Sequence, residues 1–361
     1  MDTLTHVLSG ALLGRVLARA PDAPPPLSPR AERVFGPRVP VWQAVVVGLV
    51  AATFPDSDFV LRYVSELAYL RGHRGVTHSL LMLPFWALAL GALFALIFRR
   101  RAAWRRYAWL SAAAIGIHIA GDWITAFGTM LLAPLSDARF GLGAVFIIDL
   151  VFSGLLVAGL IGSALWRRSR VPAALSLLLV AGWVGVAVQG QAEALAFAHD
   201  YAARNGIAAQ QVAATPRPAS PFNWTVFVDD GTVWHVAHVN TRRSEPLVAT
   251  AEDNFIRRFS APYMPLAQAQ WQRVPRHGGE GEAALAREAW AQPEFAFYRW
   301  FAEYPALHAV ERGATTCVWY ADLRFAHPGR ERLPFRFGLC RNGGAAWELF
   351  FIDDDGQRRP V

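Results

Sequence analysis

Side chains that can bind metal ions gather at the ends of apolar segments in this sequence. His118 and Asp122, in HIAGD, lie four residues apart, and this spacing places both on one face of a helix. The same residue types recur at the borders of other apolar segments, at His6, Asp56, Asp58, His73, His78 and Asp149. Imidazole and carboxylate groups without cysteine are ligands for Zn²⁺, Mn²⁺ or Fe. Two such ions about 3.5–4 Å apart would clamp a phosphoester and activate water.

The apolar surroundings of these groups argue against a purely structural role. A charged group deep in a membrane span costs on the order of 2.5–3.5 kcal/mol on insertion scales, so such groups are rare and usually functional. We therefore predict that most of the set His73, His78, His118 and Asp122 binds metal.

Four other residues each have two interpretations. His6 is either a ligand or an interfacial residue, and Asp58 is either a ligand or a solvated group at a helix end. Asp149 either contributes to the site or caps the helix that follows it. Arg74 either pairs with a carboxylate or binds an anionic substrate.

The elements that must position these residues are apolar segments of membrane-spanning character. The chain has 361 residues, of which 54% are hydrophobic, with a mean hydropathy of +0.24. This composition indicates a membrane part joined to a water-exposed part. Lengths near 20 residues fit a bilayer core, and GALLG in the first segment permits close helix packing. The segments are residues 3–19, 40–60, 76–98, 107–127, 144–166 and 171–190.

Arginine residues lie mainly on alternate connections, within residues 15–38, 99–106 and 166–170. The rule that basic residues stay inside predicts that these connections are cytoplasmic. The chain after about residue 195 is then periplasmic. All the candidate metal-binding side chains lie on the same outer side of an inner membrane. Because the net charge of +7 belongs to the membrane half, we predict no nucleic-acid partner.

The rest of the chain reads as an α+β domain. FNWTVFVDDGTVWHVAHVNT predicts a hairpin around an Asp-Asp-Gly turn, residues 281–304 look helical, and three later strands suggest an antiparallel meander. Folding the meander places Cys317 almost opposite Cys340, either as a disulfide or as two buried thiols. We predict an α-helical polytopic membrane domain at 1–192, a linker at 193–222 and a periplasmic α+β domain with an antiparallel sheet at 223–361.

The motifs THVLSG, FPDSD, HRGVTHS and HIAGD, in this order among apolar helices, resemble the YdjM-type family of bacterial inner-membrane proteins. That family is described as LexA-regulated metal-dependent hydrolases, and the resemblance covers roughly residues 1–165. It implies that the metal ligands are His6, Asp56, His73, His78, His118 and Asp122. The order of these residues is more distantly similar to zinc-dependent phospholipase C.

The leading functional hypothesis is a membrane-bound hydrolase with one to three divalent ions, Zn²⁺ first and Mn²⁺ or Fe as alternatives. Its water would attack a phosphoester or other ester of a lipid or lipid-linked substrate at the outer leaflet. Asp58 is predicted as the general base, with Asp56 as the alternative, and Arg74 is predicted to bind a phosphate oxygen. The bilayer is the expected partner. The alternative is a non-enzymatic protein with a structural or transported metal ion.

Overall fold

The computed structural model describes residues 1–18, 33–330, 333–353 and 355–361. The chain divides into two compact units, Met1–Val188 and Gln189–Val361. Arg19 and Arg30, two of the arginines assigned to the inner side, lie outside the described residues.

The first unit is helical. Three 3-10 helices, Phe54–Tyr63, Val76–His78 and Arg101–Ala103, lie between the α-helices in its described residues. The α-helices are α1 Thr3–Leu17, α2 Val41–Thr53, α3 Glu66–Gly72, α4 Leu83–Ile97, α5 Trp104–Trp123, α6 Leu150–Leu165 and α7 Val171–Arg204, the last of which continues into the second unit.

Among the described residues, two helical stretches are long and apolar enough to cross a membrane, Val41–Tyr63 and Val171–Arg204. Glu66–His78 and Leu83–Ile97 would make a third if this pair, bent by 76°, is one broken span. Helices α1 and α6 have 15 and 16 residues, fewer than the roughly 20 that a bilayer core requires. The prediction of a helical membrane part is confirmed, whereas six apolar spanning helices are not.

Helices α1 and α2 approach each other through glycine. A Cβ atom on Gly10 would lie 2.3 Å from the carbonyl oxygen of Gly48, and one on Gly14 would lie 2.3 Å from that of Ala44. Only glycine leaves room for backbones this close, as GALLG led us to expect. The contact seats the first turn of α1, which carries His6, beside the other elements of the site.

The connection between α5 and α6 has irregular backbone and short bridges, Thr125 to Val145 and Thr129 to Phe140. Its backbone also pairs with the segment before α4. The amide of Met130 donates to the carbonyl of Arg74 at 2.9 Å, and the amide of Leu80 donates to Leu131 at 2.9 Å. This connection therefore fixes the segment that carries Arg74 and His78.

The second unit contains two five-stranded sheets within its described residues. In the first, β1, β2 and β3 are antiparallel, with β4 parallel and β5 antiparallel to β3; in the second, β6 to β10 form an antiparallel meander. The strands are β1 Gln211–Pro216, β2 Asn223–Asp229, β3 Val233–Asn240, β4 Met264–Pro265, β5 Gln272–Pro275, β6 Pro305–Glu311, β7 Thr315–Asp322, β8 Arg336–Asn342, β9 Glu348–Ile352 and β10 Arg358–Pro360. The helices are α8 Phe255–Ser260, α9 Glu280–Ala291 and α10 Ala296–Phe301.

The predicted hairpin and meander are both present. Strands β2 and β3 flank the Asp-Asp-Gly turn, and Gly231 has a positive φ of 93° that suits glycine. On β7 and β8, Cys317 pairs directly with Cys340, and the two form a disulfide. The structure therefore selects the disulfide from the two alternatives that the sequence left open.

The predicted linker is the part of the tail that the sequence placed wrongly. Residues 193–222 include the last part of α7 and all of β1. Ala194, Ala198 and Ala202 recur every fourth residue and pack as one buried stripe with Trp224 and Val226 of β2. Small apolar residues at this spacing form one helix face that can pack closely on a sheet. The helix therefore extends into the region predicted to be a linker.

Candidate metal centre

Four of the predicted ligands converge in the first unit. Asp56 is on the 3-10 helix that follows α2, His78 is on the 3-10 helix before α4, and His118 and Asp122 are on α5. One ligand atom from each lies within 4.8 Å of all the others. His78, His118 and Asp122 are buried, whereas the side chain of Asp56 is 19% exposed. The i, i+4 spacing on α5 therefore does place its two residues on the site.

The separations between these atoms match a four-coordinate ion. His78 Nε2 lies 3.0 Å from His118 Nε2 and 3.1 Å from Asp122 Oδ2, and His118 Nε2 lies 3.4 Å from the same oxygen. Asp56 Oδ1 lies 3.7 and 3.6 Å from the two imidazole nitrogens. A tetrahedron with ligands about 2.1 Å from its centre has edges of about 3.4 Å.

The hydrogen bonds at the far side of each ring leave both Nε2 atoms as acceptors. His118 Nδ1 donates to the carbonyl of Ala52 at 2.5 Å. His78 Nδ1 lies 3.0 Å from Thr77 Oγ1 and 3.4 Å from Asp58 Oδ2, so a proton on Nδ1 has an acceptor beside it. In a neutral imidazole the other nitrogen then carries a lone pair. Two Nε2 lone pairs that face each other at 3.0 Å repel, and a shared proton or a bound metal ion relieves that repulsion.

The two oxygens of Asp122 have different surroundings. Oδ1 accepts from Arg74 Nη2 at 2.9 Å, from His6 Nε2 at 3.2 Å and from the backbone nitrogen of Met1. Oδ2 is buried and has no hydrogen-bond partner in the part of the chain that the structure describes. A buried carboxylate oxygen without a donor is costly. Its position among imidazole acceptors fits a metal ligand, and the donor set of two nitrogens and two oxygens suits Zn²⁺.

The other two predicted ligands lie next to this group rather than in it. His6 stacks on His118 with ring centroids 3.6 Å apart and reaches Asp122 through the oxygen that faces away from the cluster. His73 Nδ1 lies 3.0 Å from Asp58 Oδ1. Both rings therefore contact carboxylates of the site from outside, and their assignment as ligands stays a prediction.

Asp58, predicted as the general base, is held by several donors. Its oxygens accept from the backbone amide of Arg74 at 2.9 Å, from His73 Nδ1 at 3.0 Å and from Thr77 Oγ1 at 3.4 Å. Its side chain is 4% exposed. The 3-10 helix places Asp56 and Asp58 on opposite sides of the His78 ring.

Arg74, predicted to bind a phosphate oxygen, is 3% exposed and turned toward Asp122. Its Nη1 donates to Thr125 Oγ1 at 2.9 Å, and its guanidinium lies over the ring of Phe127 at 5.1 Å. A positive φ of 59° at Arg74 gives the backbone the bend that this orientation needs. Sequence reasoning did not find Thr125 or Phe127, because neither carries a charge that marks the site.

Two more contacts complete the surroundings. Thr3 Oγ1 donates to Asp56 Oδ2 at 2.9 Å and so holds the most exposed carboxylate of the cluster. Asp149 accepts from the amide of Phe152 at 2.9 Å and from Trp183 Nε1 at 3.0 Å. It is the N-cap of α6, as the second interpretation of this residue had it.

The fold and this cluster define a class: a helical membrane protein with a buried group of imidazole and carboxylate side chains that could bind a metal ion. The model of the YdjM inner membrane protein family matches residues 1–194, more than half of the chain, and the chain belongs to this family. Membership places the protein in an inner membrane.

A relative from Bacillus subtilis indicates no activity. The chain is 28% identical over 173 residues to the uncharacterized protein YfhP of Bacillus subtilis (strain 168), and the match covers 48% of this chain. It spans about half the length of that curated relative, 48%. No solved structure matches the chain.

Proposed function

We propose that this chain is a membrane-bound metal-dependent hydrolase. Asp56, His78, His118 and Asp122 would hold one divalent ion, with Zn²⁺ as the best fit. The observation that carries the proposal is the convergence of ligand atoms: the two Nε2 atoms lie 3.0 Å apart, and Asp122 Oδ2 lies 3.1 Å from that of His78 and 3.4 Å from that of His118.

When bound, such an ion supplies a water of lowered pKa and polarises a phosphoryl or carbonyl oxygen. Asp56 is the most exposed member of the cluster, so substrate and water would reach the site on its side, and its carboxylate is placed to take a proton from the attacking water. Asp58 orients the rings of His78 and His73. Arg74 holds Asp122 through an ion pair of 2.9 Å. We therefore assign Asp58 and Arg74 to positioning.

The surroundings of Asp56 support a lipid or lipid-linked ester as the substrate. Leu4, next to the Thr3 that holds Asp56, is 62% exposed, and Phe59 and Val60 on the same 3-10 helix are 54% and 51% exposed. Apolar side chains of this size suit acyl chains or a bilayer. The arginine distribution supports an outer-leaflet position for this end of the unit and a periplasmic position for the second unit.

A structural metal ion is the second candidate, and one observation favours it. Four ligand atoms at tetrahedral separations can close the coordination sphere and leave no position for water. Asp56→Ala separates the two. A catalytic ion keeps two histidines and Asp122, so the variant retains metal and loses turnover. A structural ion gives the wild type no turnover to lose, and the effect of the variant is then confined to metal content and melting temperature.

The activity test uses the full chain in detergent, loaded with Zn²⁺ or Mn²⁺, with phospholipid, lipid diphosphate and chromogenic phosphodiester substrates. We expect hydrolysis of at least one class, loss of hydrolysis with a chelator and recovery on reloading. Glu66→Gln is the matched control, because Glu66 pairs only loosely with exposed Arg62 at 3.7 Å. A folded, metal-loaded wild type that hydrolyses none of these esters would contradict the proposal.

A further inference from the structure

The second unit has a concentrated patch of exposed apolar side chains. Four of them lie within residues 248–259: Val248 is 72% exposed, Phe255 54%, Ile256 42% and Phe259 45%. Elsewhere in the described part of Gln189–Val361, only Val361 is a comparably exposed large apolar residue. Single exposed apolar residues are ordinary, whereas a contiguous group marks an interaction surface.

The patch is carried by a well-fixed helix. Asn254 caps α8 by accepting from the amide of Arg257 at 3.0 Å. At the other end, the buried Ser260 accepts a hydrogen bond from Asn223 Nδ2 at 3.0 Å, and Arg243 donates to the Ser260 carbonyl at 3.1 Å. Polar contacts therefore fix both ends of α8, and its apolar side chains stay about half exposed.

The loop before α8 is tied to the same surface. Arg257 donates from Nε and Nη2 to the carbonyl of Val248, at 3.0 and 2.8 Å. This places Val248 beside the helix. Phe255, Ile256 and Phe259, at i, i+1 and i+4, share one face of α8. Arg257 and Arg258, both exposed, add guanidinium groups to the margin of the patch.

A lipid bilayer is the occupant that these features fit. The second unit follows α7, which is long and apolar enough to cross a membrane, so the chain tethers this unit at a bilayer surface. Phenylalanine and isoleucine beside arginine are the side chains of segments that lie in the interface, where arginine pairs with lipid phosphates. We propose that residues 248–259 insert their apolar face into the bilayer interface and dock the second unit on the membrane.

The test uses the full chain in nanodiscs of phosphatidylethanolamine and phosphatidylglycerol. Phe255→Cys and, separately, Phe259→Cys each receive a nitroxide label without reduction, since Cys317 and Cys340 are joined. Electron paramagnetic resonance then compares collisions with oxygen, which concentrates in lipid, and with a water-soluble nickel chelate. Ala284→Cys on α9, also exposed, is the matched control.

We expect both α8 labels to collide several-fold more with oxygen than with the nickel chelate, and the label on Ala284→Cys to show the reverse. Preference for the nickel chelate at both α8 positions would show that the face stays in water and would overturn the proposal. Protection from both reagents would show that a second copy or another protein covers the face, and would overturn it equally.

Discussion

At the scale of single residues, His78 connects two parts of the site because carboxylates lie on both sides of its ring. Asp58 Oδ2 lies 3.4 Å from Nδ1, and Asp56 Oδ1 lies 3.7 Å from Nε2. The first contact fixes which nitrogen carries the proton, and the second places a ligand beside the nitrogen that does not. Such partners commonly tune how strongly a histidine binds metal.

Asp58→Asn tests this role. The amide can no longer hold the Nδ1 protons of His73 and His78 as a charged acceptor, so we expect the affinity for Zn²⁺ to fall by about 10- to 100-fold. Competition with a fluorescent chelator measures it in the purified chain. Glu66→Gln should match the wild type. Unchanged affinity with lost hydrolysis would instead restore Asp58 as the general base.

The sequence predicted part of this site for a definite reason. His118 and Asp122 are on one helix, where spacing alone determines the shared face. His6 and His73 were grouped with them by residue type and resemblance, but their distance from the cluster depends on how α1 and the segment before α4 pack. Spacing within one segment carries no information on that packing.

At the scale of elements, the close approach of α1 and α2 positions His6 and Thr3 against the cluster. Gly10→Ala would put a methyl carbon 2.3 Å from the Gly48 carbonyl oxygen and 2.4 Å from Ala52 Cβ, next to the carbonyl that orients His118. We expect a loss of about 1–3 kcal/mol in the free energy of unfolding and a lower metal content.

Gly154→Ala on α6 is the control, because a Cβ there meets nothing within 4 Å in the described structure. Denaturant unfolding and elemental analysis of both variants provide the measurement. Equal stability of Gly10→Ala and Gly154→Ala would show that α1 and α2 are not packed as described.

His238, on β3 of the first sheet, is expected to make the free energy of unfolding depend on pH. Burial, helped by Arg217 and His327, lowers the pKa of His238 from 6.5 to about 4; the ring also contacts Thr225 and Tyr263. As the pH falls from 6.5 toward 4, His238 binds a proton in the unfolded chain but stays neutral in the folded chain. The free energy of unfolding therefore decreases across this window.

His238→Gln removes this titration. We expect the melting temperature of the wild type to fall by a few degrees more than that of His238→Gln between pH 7 and pH 4.5. Scanning fluorimetry of both proteins in the same detergent gives the two slopes, and the other histidines cancel in their difference. Parallel slopes would mean that His238 is accessible to protons in the folded state.

The tail shows which elements a sequence can specify. The β2–β3 hairpin was predictable because Asp-Asp-Gly fixes the turn, and the Cys317–Cys340 register followed from strand alternation. The end of α7 was not predictable, because its alanines carry little hydropathy signal and a proline-rich stretch follows them. Their packing against β2 is a tertiary effect that overrides local propensity.

At the scale of the whole molecule, the arginine distribution and the Cys317–Cys340 disulfide both favour the periplasm as the compartment of the second unit. Basic connections stay in the cytoplasm, and disulfides persist in oxidising compartments. We predict that alkaline phosphatase fused after Val361 is active in cells and that green fluorescent protein fused there is dark. The reverse pattern would place the second unit, and with it the candidate metal-binding cluster, on the cytoplasmic side.

Whether Asp56, His78, His118 and Asp122 bind a metal ion can be measured by elemental mass spectrometry of the purified full chain. Wild type and His118→Ala are compared after loading with Zn²⁺ and removal of free ion, and Gly154→Ala serves as a folded control. We expect close to one ion per chain in the wild type and the control, and little in His118→Ala. A folded wild type without metal, or a His118→Ala variant that keeps it, would show that these four side chains do not form a metal site.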